Sequence, residues 1–180
     1  AGGKSSRMAG GNKVVMKLGG ITMLDHVLNK LKAQTANIAI NTNANHELFQ
    51  NYNLPLLKDA TNEYLGPLAG VLSAMNWAEQ IGHKRVLTVA ADTPFFPDDL
   101  YNILQDFSSQ YEIVMASTRD FSGRVIRHPT FAIWSVKLKK DLEVSIAAGL
   151  RKIVSWADRF HITAVEFGAK KEIDPFFNIN

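Results

Sequence analysis

The sequence contains no cysteine. Disulfides, thiolate zinc sites and a thiol nucleophile are excluded together. No apolar run approaches the ~18 residues that a membrane-spanning helix needs, and no signal peptide is visible. Neither G-x-x-x-x-G-K-S/T nor G-x-G-x-x-G occurs. Their absence argues against an ATPase, a GTPase switch and a dinucleotide-binding dehydrogenase. The net charge is only +3, too small by itself to mark a nucleic-acid binder. The basic run Lys137–Lys140 is not interleaved with exposed aromatics, so it reads as a solvated helix face. The five histidines show no metal-ligand spacing; His128, between Arg127 and Pro129, is the one that could line a site, and a surface or structural role is the favoured reading for each.

What is present is ordinary in bulk. The 180 residues are 46% hydrophobic and 21% charged. That suits one globular domain over residues 1–180 with a sizeable core. A cytoplasmic, monomeric enzyme or binding protein is the expectation, without nucleic-acid or membrane partners.

The opening stretch is unusual. Residues Ala1 to Lys13 hold four glycines, two serines and three cations, Lys4, Arg7 and Lys13, and the first acidic residue is Asp25. Glycines let backbone N–H groups approach an anion closely, and unbalanced cations favour several negative charges. A di- or triphosphate cradle is one reading; a disordered basic terminus is the other.

The rest of the chain alternates strand and helix. Thr22 can cap a helix with Met23, Leu24, Val27, Leu28 and Leu31 on one face. Asn37–Asn41 and Leu54–Lys58 read as strands around a short helix at His46–Tyr52. Pro67 starts a helix whose stripe is Leu68, Val71, Leu72, Met75 and Ala78. Arg85–Ala91 reads as a buried strand, and Pro97 opens a helix burying Leu100, Ile103, Leu104 and Phe107. Glu112–Thr118 is the next strand. Thr130–Trp134 follows as a strand after a loop ending in His128-Pro129. Helices near Lys137–Ala148 and Arg151–Arg159 precede a last strand at Ile162–Phe167. The three tryptophans, Trp77, Trp134 and Trp156, read as core. This pattern predicts an α/β fold with a mostly parallel central sheet covered on both faces.

Ligands in such sheets bind beyond the carboxyl ends of the strands. The Gly-rich opening, Asn41, Asp59 and Asp92 all fall at such ends. A carboxylate there suits Mg²⁺ held by one or two protein oxygens plus substrate phosphates, so Asp92 is the candidate metal ligand; capping the turn before the Pro97 helix is its alternative role. Gly66-Pro67-Leu68-Ala69-Gly70 puts free N–H groups and two glycines at a helix start, where a flat ring or an anion can approach; a plain loop-to-helix junction is the equal alternative.

In order along the chain stand Ala-Gly-Gly-x-Ser-x-Arg-Met, Lys13, Gly-Pro-Leu-Ala-Gly and Asp-Thr-Pro-Phe. Together they resemble the signature of the Rossmann-like nucleotidyltransferases, and more narrowly the molybdenum cofactor guanylyltransferase family. His128-Pro129-Thr130-Phe131, Gly149-Leu150-Arg151-Lys152 and Asp174-Pro175-Phe176-Phe177-Asn178-Ile179-Asn180 extend the resemblance over nearly the whole chain. It implies a three-layer Rossmann-like nucleotidyltransferase fold. It also implies transfer of GMP from Mg-GTP to the terminal phosphate of molybdopterin, with release of pyrophosphate. CTP, or a sugar phosphate acceptor, is the alternative within the fold.

The resemblance implies roles residue by residue. Ala1, Gly2 and Gly3 would contact the nucleotide; Lys4, Arg7 and Lys13 its phosphates, with Arg7 and Lys13 catalytic alongside Asp92. Asn41 and Asp59 would help bind guanine nucleotide, and Gly66, Pro67, Leu68, Ala69 and Gly70 would form the guanine-side loop. Asp92 would hold Mg²⁺. Asn178 and Asn180 would lie near the pterin, with Arg151 and Lys152 toward its phosphate. Other cofactor-biosynthesis proteins and acceptor molybdoenzymes are the implied partners. The family has an apolar strand before Ala-Gly-Gly and a helix after Asn-x-Asn, both expected in a longer protein than the 180 residues. It also has glycine after Arg-Met, where this chain has Ala9.

Overall fold

The computed structural model describes residues 15–59, 66–168 and 174–179. Two short strands, β1 (Lys17–Leu18) and β2 (Ile21–Thr22), form an antiparallel hairpin turning at Gly19-Gly20. Helix α1 (Met23–Lys32) begins at a reciprocal cap. The Asp25 amide donates to Thr22 Oγ1 at 3.0 Å, and the Thr22 amide donates to the Asp25 carboxylate at 3.0 Å. Two N–H groups that a helix start leaves without partners are satisfied in this way. Met23, Leu24, Val27, Leu28 and Leu31 are the buried stripe, as their spacing predicts.

Strands β3 (Ile40–Asn41) and β4 (Leu56–Leu57) pair in parallel around a 3₁₀ helix at His46–Tyr52. Helix α2 (Pro67–Gln80) follows and packs against both strands. The remaining strands form one sheet in the order β5 (Arg85–Thr88), β7 (Val125–Ser135), β6 (Ile113–Arg119), β8 (Ile162–Glu166). β6 and β8 are parallel, and β7 runs antiparallel to both β5 and β6. Three strands of this mixed sheet therefore point one way, and β7 is threaded between them in the opposite sense.

Helix α3 (Leu100–Phe107) lies between β5 and β6 in the chain; α4 (Lys139–Ala147) and α5 (Ile153–Ala157) lie between β7 and β8. Successive strand residues face opposite sides of a sheet, and the core divides accordingly. Ile113, Met115, Ala132 and Trp134 join α2, α4 and α5 in one cluster. Val114, Ala116, Phe131 and Ile133 join α1 and α3 in the other. The fold is a three-layer α/β sandwich of the Rossmann-like kind, with helices on both faces. No helix among the described residues is long and apolar enough to cross a membrane.

Trp134 and Trp156 are fully buried with ring centroids 5.9 Å apart. Their indole N–H groups donate to Thr88 Oγ1 and Asp141 Oδ1, both at 2.9 Å, so neither polar atom is stranded. Trp77 is only half-buried.

Three sequence expectations need correction. Phe107 is 38% exposed, because it closes the last turn of α3 while Leu100 and Leu104 fill the sheet side. The last helix spans only Ile153–Ala157, shorter than the Arg151–Arg159 stretch. His128 and Pro129 lie inside β7 rather than in a loop before it. The pairing runs Met115↔Ala132 and then Ala116↔His128, so Pro129, Thr130 and Phe131 bulge out of the ladder. Proline has no N–H to give a ladder, and inside a central strand it belongs at a bulge.

Candidate active site

Asn41 ends β3, and Asp59 and Asp92 lie just past β4 and β5, at the carboxyl ends where α/β sheets bind ligands. At the end of β3 and β4, a carboxylate is held between two carboxamides. Asn41 Nδ2 donates to Asp59 Oδ1 at 3.1 Å, and Asn43 Nδ2 donates to Asp59 Oδ2 at 2.7 Å. The Asp59 amide in turn donates to Asn43 Oδ1 at 3.0 Å. Both carboxylate oxygens are thus oriented by protein amides, and the group stays partly open to solvent.

Helix α2 closes against this cluster. A Cβ at Gly70 would sit 3.0 Å from Asn41 Oδ1, so glycine is what lets the helix approach the Asn41 amide. Ser73, one turn on, donates its hydroxyl to the Lys58 carbonyl at 3.0 Å and ties α2 to the same strand end. At the N-terminus of α2, Gly66 has φ +72° and ψ −168°, a conformation open essentially to glycine alone. Pro67 occupies the first helical turn. The Gly66 position also lies close to the Arg151 carbonyl, which a Cβ there would meet at 3.6 Å. The α4–α5 connection is therefore brought against the Gly66–Gly70 segment.

Arg151 does not extend its guanidinium freely from that connection. Its Nη1 donates to the carbonyls of Ile146 and Leu150, each at 2.9 Å, at the C-terminal end of α4. A cation there satisfies carbonyls that the helix leaves without partners. Lys152 is exposed and adjoins the start of α5.

Asp92 lies four residues past β5, half-buried, beside the buried Thr93. The C-terminal segment comes back to meet it. Asn178 Nδ2 donates to Asp92 Oδ2 at 2.8 Å, and the Ile179 amide donates to the Asp92 carbonyl at 3.0 Å. Two sequence motifs 86 residues apart, Asp-Thr-Pro-Phe and Phe-Phe-Asn-Ile, are thereby joined.

His128 packs against Phe176, two residues before Asn178. Its Nε2 shares a 2.8 Å hydrogen bond with Thr118 Oγ1, and its ring stacks on Phe176. Burial pushes its pKa below the ordinary histidine value, against the opposing pull of the Asp174 carboxylate. Its ring is held in place by the Thr118 and Phe176 contacts.

Of the residues expected in the site, Asn41, Asp59 and Gly70 converge, Gly66 meets Arg151, and Asp92 meets Asn178. Ala1, Gly2, Gly3, Lys4, Arg7, Lys13 and Asn180 lie outside the described residues. Asn43 was not anticipated. The run Asn41-Thr42-Asn43 carried the signal, since alternate residues of an extended chain face the same side. Among the described residues no cluster of three or more histidine or acidic groups could by itself hold a metal. Asp92, the expected metal ligand, carries one carboxylate with the Asn178 carboxamide hydrogen-bonded to it.

A three-layer α/β sandwich with polar groups gathered at its strand ends is a framework that binds nucleotides in many enzymes. Comparison with known proteins agrees. Residues 1–161 match the family model described as a MobA-like NTP transferase domain. The molybdenum cofactor guanylyltransferases of Mesorhizobium japonicum and Rhizobium meliloti are 37% and 41% identical to it. Each alignment spans all of this chain, and 87% and 84% of the relative. The crystal structure of molybdopterin-guanine dinucleotide biosynthesis protein A from Archaeoglobus fulgidus superposes with a TM-score of 0.73 at 22% identity. That match covers 97% of this chain and 87% of the other. The chain is a nucleotidyltransferase, and it belongs to the molybdenum cofactor guanylyltransferase family, within the MobA-like NTP transferases.

Proposed function

We propose that this enzyme transfers GMP from GTP to the terminal phosphate of molybdopterin, free or carrying molybdenum, giving the guanine dinucleotide and pyrophosphate. The observation that carries the reading is the Asp92 carboxylate at the end of β5 with Asn178 hydrogen-bonded to it. The names of the relatives supply the substrate class. Residues 1–180 are read as one nucleotidyltransferase domain; the two core clusters on opposite faces of one sheet support this.

In the reaction, an oxygen of the pterin's terminal phosphate attacks the α-phosphorus of GTP. The bond from that phosphorus to the bridging oxygen of the β-phosphate breaks, and pyrophosphate leaves. A phosphate monoester has its second pKa near 6 and is already largely ionised at neutral pH. No strong general base is needed, and His128, packed on Phe176 and Thr118, is not offered as one. Catalysis then rests on positioning and charge stabilisation.

Ala1, Gly2 and Gly3 are proposed to face the nucleotide, with Lys4, Arg7 and Lys13 on its phosphates. Asp59, oriented by Asn41 and Asn43, offers an acceptor for ring N–H groups of guanine. The Gly66–Gly70 helix start offers backbone N–H groups to the same ring. Asn178 and Asn180 would meet the pterin, and Lys152 its phosphate. Arg151 would join Lys152 only by leaving the carbonyls of Ile146 and Leu150.

Asp92 would hold Mg²⁺. The donor set fits, because a hard cation takes one carboxylate oxygen and completes its shell with phosphates and water. When bound, the ion would neutralise negative charge on the phosphates.

The direct test is pyrophosphate release from GTP that depends on added molybdopterin and Mg²⁺, with CTP and UTP as controls. GTP alone should support turnover; equal turnover with CTP would refute the guanine assignment. Asp92→Ala should abolish the Mg²⁺-dependent rate, and near-normal activity would remove Asp92 as the ligand.

A further inference from the structure

The contact between Asn178 and Asp92 depends on a segment that has little secondary structure of its own. Residues Asp174–Ile179 form a turn in which the Phe176 amide donates to Asp174 Oδ1 at 2.9 Å and the Phe177 amide to the Asp174 carbonyl at 3.1 Å. Backbone ordering costs roughly 1–2 kcal/mol per residue, so the segment needs an anchor.

Phe176 is that anchor. It is 5% exposed, whereas Phe177 next to it is 55% exposed. Its ring lies on the His128 ring with centroids 4.4 Å apart and planes 29° from parallel. The Phe131 and Phe167 rings enclose it at 4.8 and 5.6 Å. His128 is fixed in turn by its 2.8 Å hydrogen bond to Thr118 Oγ1 on the neighbouring strand.

The bulge explains why β7 can supply both rings. His128 and Phe131 are three residues apart, so a regular strand would point them to opposite faces. With Pro129, Thr130 and Phe131 outside the ladder, both rings reach Phe176. Bulges of this kind re-aim side chains beside functional sites.

We propose that the His128–Phe176 stack, seated on the Pro129 bulge, is the positioning device of the active site: it fixes Asp174–Ile179 so that Asn178 holds the Asp92 carboxylate in one orientation. His128 and Phe176 act through Asn178 and touch no substrate. The catalytic consequence rests on the function proposed above; the structural coupling does not.

Two measurements on the full-length protein separate these. The first is amide hydrogen exchange at Ile179, whose N–H donates to the Asp92 carbonyl. Phe176→Leu keeps apolar bulk but loses the ring, and His128→Ala removes the stacking partner. Each should raise exchange at Ile179 about 10-fold or more, while Val114 and Ile133 in the sheet stay protected. Unchanged Ile179 exchange in a folded Phe176→Leu protein would overturn the proposal, whatever the enzyme's substrate.

The second is a double-mutant cycle on pyrophosphate release. Asn178→Ala and Phe176→Leu should each lower kcat by about 10- to 100-fold, the scale of a small misplacement of reacting groups. The double variant should be no slower than the worse single variant, because both changes remove one contact. Multiplying effects would show that Phe176 contributes only general stability and would refute the positioning role. Absence of any GTP- and molybdopterin-dependent turnover in the unsubstituted enzyme would defeat the proposed function instead, and the exchange measurement would still decide this inference.

Discussion

Gly70→Ala puts two effects in opposition. Gly70 is the fourth residue of α2, and alanine is favoured over glycine in a helix by about 1 kcal/mol. On propensity alone the variant gains stability. The added Cβ, however, would lie 3.0 Å from Asn41 Oδ1, closer than ordinary van der Waals contact. Asn41 must then give way, and with it the 3.1 Å hydrogen bond to Asp59. A hydrogen bond to a charged group contributes roughly 1.5–3 kcal/mol, and the partial exposure of this one favours the lower end. The expected sum lies between no net change and about 1 kcal/mol of destabilisation. For a chain of this size that is a Tm fall of at most about 4 °C. The functional loss should be larger than the stability loss, because the displaced carboxamide orients the proposed guanine acceptor. Thermal unfolding and calorimetric GTP titration should show a nearly unchanged Tm and affinity weakened about tenfold, equivalent to about 1.4 kcal/mol. A variant stabilised by the full helix increment that binds GTP normally would refute the argument. Asn41 would then be free to move without consequence, and the closeness of α2 to the strand end would be incidental.

Two further outcomes follow from the local geometry. Gly66→Ala should cost about 1–3 kcal/mol through backbone strain alone, since the nearest atom to the new Cβ is at an ordinary 3.6 Å; a thermal melt at neutral pH that shows no loss would refute it. Thr22→Ala should cost about 1 kcal/mol by removing the α1 cap. The Thr22 hydroxyl is the main cause holding the Asp25 carboxyl below its usual pKa. A carboxylate with a depressed folded pKa stabilises the fold above its unfolded value, near 3.9, and loses that contribution as pH falls through the lower folded value. The difference between wild type and Thr22→Ala should therefore be full at neutral pH and narrow below about pH 4, as read from urea unfolding across pH.

The helix stripes of α1 and α2 were legible because period 3.6 fixes which residues share a face. Their caps were legible because a hydroxyl or a proline at a helix start has a local meaning. The strand-end locations of Asp59 and Asp92 were legible, since a polar residue just past an apolar strand marks a carboxyl end. The strand sense of β7 was not legible. An apolar strand reads the same in either direction, and only its partners decide whether the ladder is parallel or antiparallel. His128-Pro129 looked like the end of a loop because proline interrupts strand patterns. The bulge that admits it depends on the pairing of β6 with β7, which is not local.

The sequence by itself determined the element types, the two-faced core and the set of polar residues at the strand ends. These follow from periodicity and from interactions that span only a few residues. Tertiary structure decided which of those residues meet: Asn43 with Asp59, Gly70 with Asn41, and Asn178 with Asp92 across 86 positions of chain. Such contacts are made by the packing of separate elements, and the aromatic seat beneath Asn178 exists only once β7 has been threaded between β5 and β6.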